Sequence, residues 1–344
     1  MDVLGRRDSQ GPVASVGHFR ARDGSRGGEV GLDLNRPHAA LVVGKRGSGK
    51  SCTLGVLAEE VAQASGIAPV ILDPMGAFSG LAEAAGEFAA TVERSPTIAP
   101  ETLSPRAWCG LFDLDPAGAV ESLVWRAARA KPTLDAMEEF VETAEAGRAT
   151  RRAALNHLAL AREWGCFGPD GLSVGALCTS ALTVLDCAGL PAAPMNAIGR
   201  AVADALYQAR MRGEIDCFPW LLVDEAHVFF DGLAAPALRT LLTRGRQPGV
   251  SLVAATQRPG ALPPVAHSHA DLLVVHRVTN EADRRAAASA RPTYLDGSFA
   301  GRMPTEPGEA LIVDDVTERM HAVKIRPRET AHGGDTPFVS SLTE

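Results

Sequence analysis

The stretch Gly44-Lys45-Arg46-Gly47-Ser48-Gly49-Lys50-Ser51 constrains this chain more than any other, because of what stands on either side of it. The apolar run Ala39-Ala40-Leu41-Val42-Val43 precedes it and a helical pattern opens near Cys52, so a P-loop sequence lies between a strand and a helix. A triphosphate needs several backbone N–H groups converging on its oxygens. Glycines at 44, 47 and 49 keep side chains out of the way, and the following helix turns its positive end toward the anion. Lys50 is then placed to reach the β- and γ-phosphates, and the Ser51 hydroxyl to bind Mg²⁺. The expected nucleotide-binding set is Gly44, Arg46, Gly47, Ser48, Gly49, Lys50, Ser51 and Cys52, with ATP and Mg²⁺ as cofactors.

A chain of 344 residues, 46% hydrophobic and 22% charged, suffices for one large α/β domain or two modest ones. Its net charge of −7 argues against coating nucleic acid by bulk charge and leaves room for a local basic surface, such as one lining a pore. No apolar run reaches bilayer length, and the polar Met1 to Arg7 reads as neither signal peptide nor anchor. Cysteines at 52, 109, 166, 178, 187 and 217 form no C-x-x-C pair and several lie in apolar runs, which fits a reducing cytoplasm rather than a disulfide frame or a zinc site.

Residues 1 to 12 carry no periodicity and read as loose. Runs around Val16 to Phe19 and Val30 to Leu34 flank Arg22-Asp23-Gly24-Ser25, a β-hairpin signal, so 1–36 is read as a loose start plus a short hairpin. After the P-loop helix comes the strand Pro69-Val70-Ile71-Leu72-Asp73. Its terminal Asp73 either lies near the nucleotide, as strand ends of parallel sheets do, or caps the next turn. Residues from about 90 to 178 read as a helical insertion, with helices over Pro116 to Arg129, after a Thr133 cap, and from about Thr150 to Trp164. Strands resume at Leu182 to Asp186, and a long helix runs from Pro194 to a stop at Gly213. Further strands end at Val223, Thr256 and His276, and a hairpin from Ala310 to Val313 and His321 to Ile325 closes the domain at 326, leaving 327–344 as a flexible tail.

The run Trp220-Leu221-Leu222-Val223-Asp224-Glu225 supplies what a P-loop lacks. Asp224 can hold Mg²⁺ through water, and Glu225 sits where a hydrolytic water needs a base. The strand at 182–186, between P-loop and acidic pair in sequence, marks the additional-strand, catalytic-glutamate type of ATPase. Gln257, at the end of the next strand, is placed to sense the γ-phosphate or orient water. Arg244 and Arg246 are candidates to stabilise transition-state charge in a neighbouring subunit, the alternative being a solvated surface loop.

Together with Asp73-Pro74-Met75-Gly76, Asp224-Glu225-Ala226-His227, Arg244-Gly245-Arg246, Ala255-Thr256-Gln257-Arg258-Pro259, His276 to Asp283 and Gly308-Glu309-Ala310, the P-loop resembles the HerA/FtsK family of P-loop ATPases, and within it the HerA-like branch. The resemblance covers about 37–90 and 180–326. It implies a RecA-like α/β sheet, a hexameric ring with ATP sites between subunits, translocation of double-stranded DNA, a nuclease partner, and one of Arg244 or Arg246 acting in trans. Full-length members of that branch carry an N-terminal β-barrel, where this chain has room for only a short hairpin before His38. The expected activity is ATP hydrolysis driving a DNA motor. A conjugation or secretion motor for another polymer, or a slow ATP-dependent switch controlling a protein partner, are the alternatives.

Overall fold

In the computed structural model, which describes residues 1–6, 10–21, 23–83, 88–178, 182–289 and 300–331, a short strand β1 (Asp2–Leu4) leads into the hairpin β2 (Val13–Arg20) and β3 (Arg26–Asp33). The P-loop strand β4 (Ala39–Val43), helix α1 (Lys50–Gln63), β5 (Ile67–Asp73) and β6 (Ala90–Arg94) follow. A helical block holds α2 (Pro105–Leu111), α3 (Ala119–Ala130), α4 (Leu134–Thr143), α5 (Arg148–Glu163) and α6 (Val174–Leu177). Alternation resumes with β7 (Leu182–Asp186), α7 (Ala192–Arg212), β8 (Phe218–Val223), the single turn α8 (His227–Phe230), α9 (Ala235–Arg244), β9 (Ser251–Thr256), α10 (Pro264–His269), β10 (Leu272–Val275) and α11 (Glu281–Ser289). The hairpin β11 (Glu309–Asp314) and β12 (Arg319–Ile325) comes last. No helix among the described residues is long and apolar enough to cross a membrane.

The strands form one 12-stranded sheet, ordered β1-β3-β2-β12-β11-β10-β4-β9-β8-β5-β7-β6. From β10 to β6 every pairing is parallel, so these strands deliver their carboxyl ends to one edge. Val43 stands level with Thr256 and Val275, and Leu72 with Val223. Such strands must be apolar on both faces, and β4, β8 and β9 are almost wholly buried. One face carries Leu41, Val43, Leu221 and Leu252 against Ile198, Val202 and Leu206 of α7 and the helical block. The other carries Val42, Ile71, Leu222 and Val253 against Leu54, Leu57 and Val61 of α1. Each such side chain contributes about 2 kcal/mol of burial free energy. This is the α/β sheet that the apolar runs predict, in the RecA-like form that the resemblance implies.

Several elements depart from the sequence reading. Asp2–Leu4, within the stretch that lacks periodicity, pairs with β3, burying Leu4. The segment from 90 begins not with a helix but with β6, the outermost strand, whose exposed Glu93 and Arg94 suit an unpaired edge. The strand at 182–186 lies beyond β5, so it is β9 that separates the P-loop strand from the strand bearing the acidic pair. Residues 327–331 are anchored: the buried carboxylate of Glu59 on α1 accepts hydrogen bonds from Arg326, the backbone of Glu329, and the backbone and hydroxyl of Thr330. The rest of the tail, 332–344, lies outside the described residues, as does Arg22 of the hairpin turn. Expected caps do form. Thr133 Oγ1 accepts the Ala136 N–H, and Gly213 ends α7 in the left-handed region at φ 68°.

At the opposite edge of the sheet a buried charge chain fastens the N-terminal strands to the base of β4. Arg6 pairs with Asp33, whose carboxylate lies 3.8 Å from His38 Nε2, an ion-pair rather than a hydrogen-bond distance. His38 Nδ1 donates to Asp271 Oδ2 at 2.8 Å. Burial alone would push this imidazole down, but Asp271 and Asp33 outweigh it and hold it above its ordinary value of 6.5. A raised pKa in the folded state adds stability below the unfolded pKa that disappears as pH rises through the folded one. The stability gap between wild type and His38→Gln, measured by urea unfolding, should therefore be widest near about pH 6 and shrink toward about pH 9. A gap that does not change with pH would show that folding does not raise the imidazole's pKa.

Candidate active site

The loop at the carboxyl end of β4 is shaped by two left-handed glycines, Gly47 at φ 72° and Gly49 at φ 116°. A Cβ at Gly44 would stand 2.5 Å from Ser48 Oγ and 2.6 Å from the Cβ of His276, so only glycine fits. Ser48 Oγ and Lys50 Nζ both donate to the Lys45 carbonyl, at 2.7 and 3.2 Å, which curls the loop over its own helix start. Lys50 is buried at 6% exposure, and desolvation lowers its pKa against the opposing pull of Glu225 and Asp224. An ammonium in that position gains most from an incoming anion. Gly44, Ser48, Gly49, Lys50 and Ser51 are thus gathered at one place, with Arg46 and Gly47 exposed at the loop tip.

The acidic pair arrives from β8. Ser51 Oγ donates to Asp224 Oδ2 at 3.2 Å, so a hydroxyl and a carboxylate meet above the sheet edge. These are hard oxygen donors of the kind Mg²⁺ takes, and the set fits that ion. Burial drives Asp224 up to about 6, with Lys50, Ser51 and the Glu225 N–H pulling the other way; a divalent cation would offset that desolvation. Glu225 follows in the left-handed region at φ 44°, a conformation costing a non-glycine residue about 1 kcal/mol or more. Burial raises its carboxyl, but His227, Lys50 and the Gln257 N–H outweigh this and leave it below the ordinary carboxylate value. It is a charged group beside the loop, available to accept a proton from water.

Residues 14–157 match the family model described as the central domain of the helicase HerA. The fold is shared with VirB4 of Thermoanaerobacter pseudethanolicus, at a TM-score of 0.68 and 17% identity, over 94% of this chain and 98% of that one. It is shared also with the bacterial conjugative coupling protein TrwBdeltaN70, at 0.59 and 16%, over 88% and 87%. Over residues 14–157 the chain is similar to that HerA domain, and its fold is that of the two solved structures. No curated protein matches it in sequence.

Other residues singled out from the sequence have more varied positions. Gln257 directly follows β9, the strand between the P-loop strand and the acidic strand, and its N–H faces the Glu225 carboxylate. Asp73 ends β5 at the same edge, yet both carboxylate oxygens accept backbone N–H groups, from Met75 at 3.1 Å and Phe78 at 2.8 Å. It caps its own turn. The Cys52 thiol is turned to the Arg326 carbonyl at 3.8 Å, leaving only the Cys52 backbone as a possible phosphate contact. Arg244 and Arg246 are exposed and precede β9, which puts them at the opposite edge of the sheet from the P-loop of their own chain.

The sequence reading gave no role to the residues behind the loop. His276 is fully buried and pushed down to about 4 by desolvation, hence neutral. Its Nδ1–H donates to the Glu309 carbonyl, and Nε2 accepts from Thr53 Oγ1, both at 2.8 Å. The Gly308 N–H donates to the Ser48 carbonyl at 3.0 Å and the Lys45 N–H to the Arg277 carbonyl at 2.8 Å. The P-loop therefore leans on the C-terminal hairpin. The available signal was a histidine directly after a buried strand.

Proposed function

We propose that the chain is a Mg²⁺-dependent ATP hydrolase working as a ring-forming motor, with double-stranded DNA as the polymer moved. The observation that carries the reading is the meeting of Ser51 with Asp224 at 3.2 Å, with Glu225 next in the chain and Lys50 buried beside both. Ser51 and Asp224 would hold Mg²⁺, which when bound would neutralise phosphate charge. Lys50 and the loop amides bind the triphosphate, and Glu225 accepts the proton of the attacking water. Gln257, one strand away, orients that water.

Arg244 and Arg246 support the ring. On the far edge of the sheet, either can meet a γ-phosphate only in the site of another copy. In this reading residues 37–326 are the motor domain, with the helical block as an insertion, and the protein is cytoplasmic. DNA as cargo is supported by the likeness to a helicase domain, and a conjugation-type polymer by the likeness to a conjugative coupling protein. The deciding experiment is the steady-state ATPase rate with and without linear double-stranded DNA, with Glu225→Gln as blank. Stimulation that fades as salt rises is expected, because phosphate contacts release counterions. Turnover indifferent to DNA would move the assignment to a protein-directed motor or a switch.

A further inference from the structure

Glu225 is held from outside its own strand. Its backbone is fixed in the left-handed region, and the next residue is clamped by the Ala226 N–H donating to the Ala255 carbonyl at 2.7 Å. The side chain is only 18% exposed, and its buried Oε2 has no aligned hydrogen bond. The polar atom beside that oxygen is His227 Nδ1, at 3.3 Å. The same nitrogen lies 3.1 Å from the hydroxyl of Thr256, which also accepts the Arg258 N–H at 3.0 Å. One ring nitrogen therefore stands between the carboxylate and a hydroxyl at the end of β9, the strand that separates the two halves of the site.

We infer that His227 is a positioning residue for Glu225, aiming its carboxylate while Thr256 fixes the ring. The inference rests on the hydrolase reading above, in which Glu225 takes the proton from water. A carboxylate on a strained backbone has freedom only in its side chain, and misplacement of a base by about 1 Å lowers turnover by up to about 10²-fold. With the proton on Nδ1 the ring donates toward Oε2. With the proton on Nε2 it accepts from the Thr256 hydroxyl and Oε2 is left unheld. The two tautomers thus give the carboxylate two states, and β9, which Gln257 directly follows, selects between them.

The test is steady-state kinetics with ATP on the full chain, together with ATP affinity by calorimetry. His227→Leu should lower kcat by about 10- to 100-fold while KM and ATP affinity stay within about twofold, the signature of an interaction used at the chemical step. His227→Asn, whose side-chain amide can stand where Nδ1 stood, should recover most of that loss. Thr256→Val should lower kcat less, and adding it to His227→Leu should cost nothing more, because both act through one contact. Wild-type kcat in His227→Leu beside an inactive Glu225→Gln would overturn the inference and leave the hydrolase reading standing. Equal losses in His227→Leu and His227→Asn with a lowered thermal midpoint would also overturn it, assigning the ring to packing. Wild-type turnover in Glu225→Gln would instead remove the assignment of Glu225 as the base, on which the inference depends.

Discussion

Lys50→Ala should abolish ATP binding, with no measurable heat in a calorimeter at concentrations that saturate the wild type. The ammonium is 6% exposed, and within the chain it donates to the carbonyl of Lys45 at 3.2 Å, a weak partner for a full charge. Its desolvation is repaid when phosphate oxygens arrive, so the missing charge removes at least about 3 kcal/mol of binding free energy, more than a hundredfold in affinity. Alanine removes the buried ammonium while Asp224 keeps its hydrogen bonds from Ser51 and the Glu225 N–H, and the folded state should survive. An unchanged affinity would overturn the assignment of the loop as a phosphate cradle.

Glu225→Gln should bind ATP at least as well as the wild type and hydrolyse it at least about 10²-fold more slowly, as expected when a general base is lost. The amide has the shape of the carboxylate and asks nothing new of the strained backbone at φ 44°. It also removes a negative charge from beside Asp224 and Lys50, which can only favour an anionic ligand. Single-turnover hydrolysis separates the two effects, since binding would be intact while the chemical step is slow. Turnover at the wild-type rate would place the base elsewhere.

Where neighbouring residues decide the structure, the sequence was readable. The P-loop announces itself because the strand, the glycines and the helix are contiguous, and Asp224-Glu225 because an apolar run stops on two acids. Thr133 and Gly213 act through contacts a few residues away, and both were legible. The unreadable parts join distant segments. Thr53 meets His276 and Ser51 meets Asp224 across 223 and 173 positions, with no periodicity linking them. Asp224 was assigned to metal and Glu225 to water from their motif, whereas nothing in the local sequence around Thr53 hints at a histidine partner. The strands β1 and β6 escaped notice because they are short and, in β6, charged at the sheet edge. Asp73 shows the ambiguity of a strand-end acid: position in the sheet puts it near the ligand, yet the turn after it uses both its oxygens.

The contact between Gly308 and the Ser48 carbonyl, and that between His276 and Thr53, bear on how the protein is made. The loop that cradles phosphate leaves the ribosome early, while the segments that back it come from the last quarter of the chain. At about 5–20 residues per second the wait is on the order of tens of seconds. Throughout that interval the nascent chain displays a P-loop with one wall missing, along with the unpaired edge of β4 that β10 will cover. Competence to hold nucleotide is thus acquired only once His276 and Gly308 have emerged, and a chain stopped short of them would display the loop without its backing.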